Sequence, residues 1–216
     1  MIKAVVFDLD NTLVDFMRMK RAAVDMAVEY MINAGLDIPR EKVIKEIFNI
    51  YLKTHLESET AIEEVLQKMT GKVDQRILSS GIIGYQRGRE ASMYTYPKVY
   101  KTFKELLRMG LVIGILSDSP AEKCFNRLTR LHLIDWVDAV VTFDDTGERK
   151  PSLKPFRLIC ERLKIHPEDS LYVGDWPMRD IPPARSIGMK TVWARWGSDW
   201  LDEKPEADYY LEEPIQ

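Results

Sequence analysis

A short apolar segment that ends in acidic residues, close to the start of the chain, most constrains the fold. Residues Lys3–Phe7 form an unalternating, β-branched run, and the polar cluster Asp8-Leu-Asp-Asn-Thr12 follows it directly. A run without alternation predicts a strand that is buried on both faces, as in parallel sheets. Because ligands bind at the carboxyl ends of the strands in open α/β sheets, we expect this cluster to lie in a binding site.

After Pro97, predicted strands alternate with predicted helices. The apolar runs predict strands over residues 111–116, 139–143, 170–173 and 191–193. Helical spacing of apolar residues predicts helices over residues 99–108, 120–131, 153–163 and 182–187. This alternation is typical of a parallel sheet with right-handed crossovers. We therefore predict the α/β fold class, with a Rossmann-like parallel sheet as its core.

The segment from residue 15 to residue 96 differs from the rest because its apolar residues recur at helical spacing throughout. The pattern predicts helices over residues 17–34, 41–52, 61–69 and 75–89, with no convincing strand among them. We therefore predict two domains. Residues 1–14 together with 97–216 form the α/β core, and residues 15–96 form an inserted, all-helical domain.

Polar residues follow each of the first four strands of the predicted sheet. They are Asp8 and Asp10, then Ser117, then Lys150, and finally Asp175 with Asp180. In a parallel sheet these positions converge on one edge. Carboxylates at close range repel one another, so this group should require a cation. Oxygen ligands, with positions left to water and substrate, suit Mg²⁺.

The composition argues against several classes of partner. Lys and Arg total 31 against 34 Asp and Glu, a net charge of −3, which gives no reason to expect nucleic-acid binding. Apolar runs such as Leu111–Leu116 are far shorter than the ~20 residues of a membrane-spanning helix. No signal-peptide pattern follows Met1. We expect a cytoplasmic protein in which Cys124 and Cys160 are free thiols.

Four motifs resemble, in order and spacing, those of the haloacid dehalogenase-like hydrolases. They are Phe7-Asp-Leu-Asp-Asn-Thr-Leu13, Ser117 after an apolar strand, Lys150-Pro151 followed by Phe156, and Gly174-Asp175-x-x-x-x-Asp180 followed by Ala184 and Gly188-Met189. The agreement extends over nearly the whole chain. A helical insertion just after the first motif resembles the helical-cap subgroup, which includes phosphoglycolate phosphatase-like enzymes. The resemblance therefore implies that residues 15–96 are a cap domain.

The resemblance also implies roles for the residues that would carry out catalysis. Asp8 is expected to be the nucleophile that forms an aspartyl-phosphate. Asp10 is expected to be the general acid/base, which protonates the leaving oxygen and then activates water. Lys150 and the Ser117 hydroxyl would neutralise charge on the transferring phosphoryl group.

For the metal, the resemblance implies Mg²⁺ held by a carboxylate oxygen of Asp8, the backbone carbonyl of Asp10 and the carboxylate of Asp175. Asp180 is expected to bind metal-bound waters or to orient Lys150. Asp180 also precedes Pro182, so a second interpretation makes it the N-cap of the helix predicted from that residue. Asp118 is expected to cap the helix predicted from Pro120 rather than to bind a ligand.

We expect a Mg²⁺-dependent phosphatase of a small phosphorylated metabolite, acting as a monomer or a homodimer. The alternatives are a sugar phosphomutase and a non-catalytic binding module that retains the fold. A dehalogenase is disfavoured, because the haloacid dehalogenases lack the second aspartate, here Asp10. The cap is expected to set substrate specificity, and its candidate residues are Arg18, Arg21, Tyr85, Arg87, Arg89 and Tyr94.

Overall fold

The chain forms two compact units in the computed structural model, which describes residues 1–198 and 204–215. One unit comprises Met1–Asp15 and Tyr94–Gln216, and the other comprises Phe16–Met93. The second unit is thus inserted into the first along the sequence.

Within residues 16–93, all of which the structure describes, there are four helices and no strands. They are α1 (Phe16–Asn33), α2 (Arg40–Lys53), α3 (Ala61–Thr70) and α4 (Gln75–Ala91). Their apolar faces form one hydrophobic core that includes Val28, Met31 and Ile47. Helices α1 and α4 pack unusually closely, because Gly84 and Gly88 of α4 face the backbone of α1.

The other unit contains a parallel sheet whose strand order is β3-β2-β1-β4-β5-β6, counted over the described residues. The strands are β1 (Ala4–Phe7), β2 (Val112–Leu116), β3 (Ala139–Val141), β4 (Ser170–Gly174), β5 (Lys190–Ala194) and β6 (Tyr209–Leu211). Each pair of neighbouring strands in this sheet is parallel. The prediction of an α/β fold with a parallel sheet is therefore confirmed.

The first strand lies in the interior of this sheet and is buried along its whole length. Ala4 pairs with Val112 of β2 on one side and with Ser170 of β4 on the other. Burial on both faces explains why the strand is an unbroken apolar run. It also places Asp8, the next residue, at the carboxyl edge of the sheet between the ends of β2 and β4.

Five helices accompany the sheet in the described residues of this unit. They are α5 (Val99–Arg108), α6 (Ala121–Arg130), α7 (Phe143–Thr146), α8 (Leu153–Leu163) and α9 (Pro177–Ser186). Within residues 1–198 and 204–215, no helix is both long enough and apolar enough to cross a membrane.

Three details differ from the sequence-based expectations. Strand β3 ends at Val141 rather than at residue 143, because Thr142 is the N-cap of helix α7, which begins at Phe143. Helix α9 starts at Pro177, not Pro182, and continues through Pro182 and Pro183 although both lack a backbone donor. Its start is stabilised by Asp180, whose carboxylate accepts a hydrogen bond from the backbone N–H of Trp176. Strand β6 was not predicted, because its three residues are largely exposed and too few to show a pattern.

Candidate active site

The carboxyl edge of the sheet gathers acidic and basic side chains from four separate segments. Asp8 follows β1, Asp175 follows β4, Asp180 lies in α9, and Lys150 lies in the loop between α7 and α8. All four residues are buried. The structure therefore brings together four of the six candidate residues, although Lys150 is 142 positions from Asp8 in the sequence.

Lys150 forms the centre of this group. Its Nζ lies 2.6 Å from an oxygen of Asp8 and 2.6 Å from an oxygen of Asp180. The same Nζ lies 3.1 Å from the hydroxyl of Tyr172. Burial opposes the charge on the amine, but the carboxylates of Asp180 and Asp8 outweigh it and hold the pKa of Lys150 well above its usual value. Lys150 is therefore a permanent cation at the edge of the sheet.

Asp180 is positioned by contacts on both of its oxygens. Oδ1 accepts from Lys150 and from the Tyr172 hydroxyl, at 2.9 Å, and Oδ2 accepts from the Trp176 backbone at 2.9 Å. A side chain at Gly174 would prevent this arrangement, since a Cβ there would lie 2.5 Å from the Asp180 carboxyl carbon. The prediction that Asp180 is the N-cap of α9 is wrong, because the helix begins three residues earlier. The contact of Oδ1 with Lys150 is the one that the predicted orienting role would require, and that role stays a prediction.

Asp8, Asp175 and Asp180 form the cluster that could hold a metal ion. One carboxylate oxygen from each lies within 4.8 Å of the other two. Burial, opposed by Lys150 and reinforced by Asp180, raises the pKa of Asp8 from 3.8 to about 7. Burial and the neighbouring charges of Asp8 and Asp180 raise the pKa of Asp175 well above its usual value. Three crowded, desolvated carboxylates of this kind fit a divalent cation with oxygen ligands.

Asp10 points its carboxylate toward α6. Its Oδ2 accepts a hydrogen bond from the Ser119 hydroxyl at 3.0 Å and another from the Arg127 guanidinium at 3.0 Å. Neither partner was identified from the sequence. The available signal was that Arg127 shares the buried face of α6 with Cys124 and Leu128, a position where a charged residue needs a partner.

Ser117 and Thr12 are buried at the ends of their segments. The Ser117 hydroxyl accepts a hydrogen bond from the Ser119 backbone N–H at 3.2 Å. Thr12 donates from its hydroxyl to Asp175 at 3.4 Å, which links the loop after β1 to the loop after β4. Asn11, in the tight turn after Asp10, has a φ of 62°. Asn tolerates this left-handed conformation better than most residues.

Asp118 does not cap the helix that follows it, so that prediction is wrong. No side-chain hydrogen bond caps α6 at its N-cap residue Pro120. The backbone N–H of Ala121 instead donates to Asp144 at 2.8 Å. Asp118 accepts a hydrogen bond from the backbone N–H of Lys150 at 2.8 Å and forms an ion pair with Arg179.

Two tryptophans bind the backbone of the loops that carry the acidic residues. The indole N–H of Trp193 donates to the carbonyl of Asp175 at 2.9 Å, and that of Trp196 donates to the carbonyl of Thr12 at 2.9 Å. Gly197 allows the second contact, because a Cβ there would lie 1.5 Å from the carbonyl oxygen of Asn11. These contacts are specific to the folded chain and leave no local pattern in the sequence.

Two of the proposed specificity residues, Tyr85 and Arg87, form hydrogen bonds within the helical unit. The hydroxyl of Tyr85 accepts a hydrogen bond from the buried amine of Lys20 at 2.6 Å. The Lys20 amine also lies 3.9 Å from the centre of the Tyr51 ring. A second candidate, Arg87, donates to the hydroxyl of Tyr30 at 2.5 Å.

Comparisons with known proteins show the family to which the chain belongs. A model of the family described as haloacid dehalogenase-like hydrolase matches residues 5–194. A glyceraldehyde 3-phosphate phosphatase of Methanocaldococcus jannaschii is 34% identical over 192 residues, which cover 89% of this chain and 84% of the relative. A phosphoglycolate phosphatase of Shigella boydii is 30% identical, over 92% of this chain and 83% of the relative.

A solved structure has the same fold. The crystal structure of a phosphatase of this family from Thermococcus onnurineus superposes with a TM-score of 0.73. The alignment covers 99% of this chain and 94% of that one, at 23% sequence identity.

Proposed function

Since this chain belongs to the haloacid dehalogenase-like hydrolases and is a phosphoric monoester hydrolase, we propose that it is a Mg²⁺-dependent phosphatase of a small phosphorylated metabolite, acting through an aspartyl-phosphate. The observation that carries the proposal is the buried group of Asp8, Lys150, Asp175 and Asp180 at the edge of the sheet. The group combines a nucleophilic carboxylate, a permanent cation and a set of metal ligands.

In the first step, a carboxylate oxygen of Asp8 attacks the phosphorus of the ester. The bond from phosphorus to the ester oxygen breaks, and its electron pair leaves with that oxygen. Asp10 donates a proton to the departing oxygen, so the product leaves as a neutral alcohol. Asp8 now carries the phosphoryl group.

In the second step, water hydrolyses the aspartyl-phosphate. Asp10, now ionised, accepts a proton from the water as its oxygen attacks the phosphorus. The bond from phosphorus to the Asp8 oxygen breaks, which restores the Asp8 carboxylate and releases inorganic phosphate. Both proton transfers use the same carboxyl group, so Asp10 ends each cycle protonated.

Lys150 and Ser117 act on the phosphoryl group that is transferred between these oxygens. Phosphoryl transfer depends mainly on positioning and on stabilising the charge of the equatorial oxygens. The Lys150 amine remains charged because Asp8 and Asp180 surround it. The buried Ser117 hydroxyl adds a hydrogen-bond donor.

Asp8, Asp175 and the backbone carbonyl of Asp10 would hold Mg²⁺, and Asp180 would reach it through water while it orients Lys150. When bound, the cation offsets the charge of the carboxylates and of the phosphate dianion, which would otherwise repel each other. The raised pKa values of Asp8 and Asp175 support this assignment, because burial, together with the neighbouring carboxylates, disfavours the negative charges that a bound cation would stabilise.

For the substrate we propose a phosphate ester of a two- or three-carbon metabolite. The relatives named above are called glyceraldehyde 3-phosphate phosphatase and phosphoglycolate phosphatase. Both names describe a phosphate on a short, polar carbon chain. We further propose that residues 15–96 act as a helical cap that selects among such esters, and that the protein acts in the cytoplasm.

The test is release of inorganic phosphate from a panel of metabolite phosphates with Mg²⁺, including glyceraldehyde 3-phosphate, phosphoglycolate and hexose phosphates. Activity should disappear with EDTA and in Asp8→Asn, and should persist in Asp135→Asn, a control at an exposed aspartate of the same unit. Mass spectrometry of acid-quenched protein should find phosphate on Asp8. Activity that survives both EDTA and Asp8→Asn would contradict the proposal, and phosphoryl exchange between sugar phosphates that outpaces phosphate release would indicate a phosphomutase.

A further inference from the structure

The carboxylate of Asp10 is held by two buried donors on the same oxygen. Ser119 and Arg127 both lie 3.0 Å from Oδ2 of Asp10, and they lie 2.9 Å from each other. Only 6% of Arg127 and 7% of Ser119 is exposed. The three side chains thus form a closed hydrogen-bonded triangle.

Packing alone does not account for this triangle, since burying a guanidinium costs free energy. Arg127 occupies the buried face of α6, beside Cys124 and Leu128, where an apolar residue would be cheaper to bury. A charged hydrogen bond of this type is about twice as strong as a neutral one, and the planar guanidinium fixes the direction of its partner. Because Arg127 lies in helix α6, its backbone is held more rigidly than it would be in a loop.

We propose that Arg127 is a positioning residue for Asp10: with Ser119 it anchors Oδ2, so that Oδ1 is the oxygen that gives and takes the catalytic proton. This inference rests on the proposed function, since it assigns a role within that reaction. An oxygen that accepts two hydrogen bonds, one of them from a cation, is the poorer site for a proton. Proton transfer also needs the acid within hydrogen-bond reach of the departing oxygen, which a freely rotating carboxyl does not maintain.

A positioning role has a consequence that a purely structural role lacks. Proton donation by Asp10 matters most when the leaving oxygen is strongly basic, and least when the leaving group is stable as an anion. The ratio kcat/KM reports the steps up to formation of the aspartyl-phosphate, which include loss of the leaving group. The effect of losing Arg127 on kcat/KM should therefore grow with the basicity of the leaving group.

The experiment measures kcat/KM for p-nitrophenyl, phenyl and benzyl phosphate with Mg²⁺, in wild type and in Arg127→Met. We expect the loss with benzyl phosphate to exceed the loss with p-nitrophenyl phosphate by about tenfold or more, within the ~10²–10⁴-fold that general acid catalysis contributes. Arg127→Lys keeps a charged donor and should recover much of the difference. Arg130→Met removes an exposed charge from the same helix and should leave the ratio unchanged.

A variant that fails to fold would not decide the question, so Ser119→Ala provides a second route. It removes the other donor to Oδ2 and should shift the leaving-group dependence in the same direction, by less. A loss that is equal for all three substrates, in Arg127→Met or in Ser119→Ala, would overturn the positioning role and leave the proposed function intact. Absence of phosphate release by the wild type would overturn the proposed function, and this inference with it.

Discussion

The Nε of Arg179 donates a hydrogen bond to the carbonyl oxygen of Lys150, at 3.1 Å. The same arginine forms an ion pair with Asp118, which in turn accepts the backbone N–H of Lys150. Both backbone polar groups of Lys150 are thus bound by one pair of side chains, at a cis peptide bond to Pro151. The loop that carries the central amine is fixed by α9 and by the segment after β2.

We expect Arg179→Ala to lower kcat by about tenfold or more, because a small misplacement of a catalytic group has a large effect on rate. Asp118→Asn keeps an acceptor for the Lys150 N–H and should have a smaller effect than Asp118→Ala. Steady-state kinetics on the best substrate of the panel checks both. Arg185→Ala removes an exposed arginine from the same helix and serves as the control. Unchanged kcat in Arg179→Ala would show that the loop holds its conformation without this contact.

The raised pKa of Asp8 predicts a pH dependence of stability in the metal-free protein. The pKa of Asp8 is about 7 in the folded chain and 3.8 ordinarily. Between these two pH values, the folded state therefore binds a proton that the unfolded state has lost. Its contribution to stability is therefore fully present below the ordinary pKa and is lost as the pH rises through about 7.

Urea denaturation with EDTA, across this pH range, measures the effect. As the pH rises, the free energy of unfolding of the wild type should fall relative to that of Asp8→Asn. The fall should be at most about 1.4 kcal/mol per pH unit, the limit for one proton. Asp169→Asn is a control of opposite sign, since the hydrogen bond from Lys3 lowers the pKa of Asp169 and its contribution is lost as the pH falls. A difference for Asp8→Asn that does not vary with pH would contradict the prediction.

Binding of Mg²⁺ should release protons, because the carboxylates must ionise to bind it. Asp8 is mostly protonated at about pH 6 and mostly ionised at about pH 8.5, since its pKa is about 7. Isothermal titration calorimetry in buffers of different ionisation enthalpy counts the protons released. We expect more release at the lower pH, and a smaller dependence on pH in Asp8→Asn. Binding enthalpies that do not depend on the buffer at either pH would contradict the prediction.

The close packing of α1 and α4 makes Gly88 sensitive to any added side chain. A Cβ there would lie 2.7 Å from the carbonyl oxygen of Ala22 and 2.8 Å from the Cα of Ala23, both main-chain atoms. Overpacking costs about 1–3 kcal/mol, against about 1 kcal/mol gained from the better helix propensity of alanine.

We therefore expect Gly88→Ala to lower the free energy of unfolding by up to about 2 kcal/mol, as measured by urea denaturation. Gln86→Ala, at an exposed position of the same helix, should change it by less than about 0.5 kcal/mol. Stabilisation by Gly88→Ala would mean that the two helices separate at little cost.

The sequence could predict the features that leave a pattern in neighbouring residues. Strand β1 is an unbroken apolar run because both of its faces are buried, so the strand and the position of Asp8 at its carboxyl end could both be predicted. The partners of Asp10 could not be predicted, since α6 brings Arg127 to it only after the chain has folded. The start of α9 was misplaced because Pro182 resembles a helix start, whereas the true start depends on the contact from Asp180 to Trp176.

The interior position of β1 has a consequence for how this chain is made. The strand is synthesised before either neighbour. Strand β4 cannot pair with it until a sequence separation of 166 positions has been bridged, which is also the separation between Lys3 and Asp169. Closing a loop of that length is slow, so β1 remains unpaired while the helices of residues 16–93 are synthesised. An apolar strand left unpaired during translation is a target for chaperones and for aggregation. Fusion or truncation designs that delay β2 or β4 should therefore reduce the soluble yield more than equal changes inside the helical insertion.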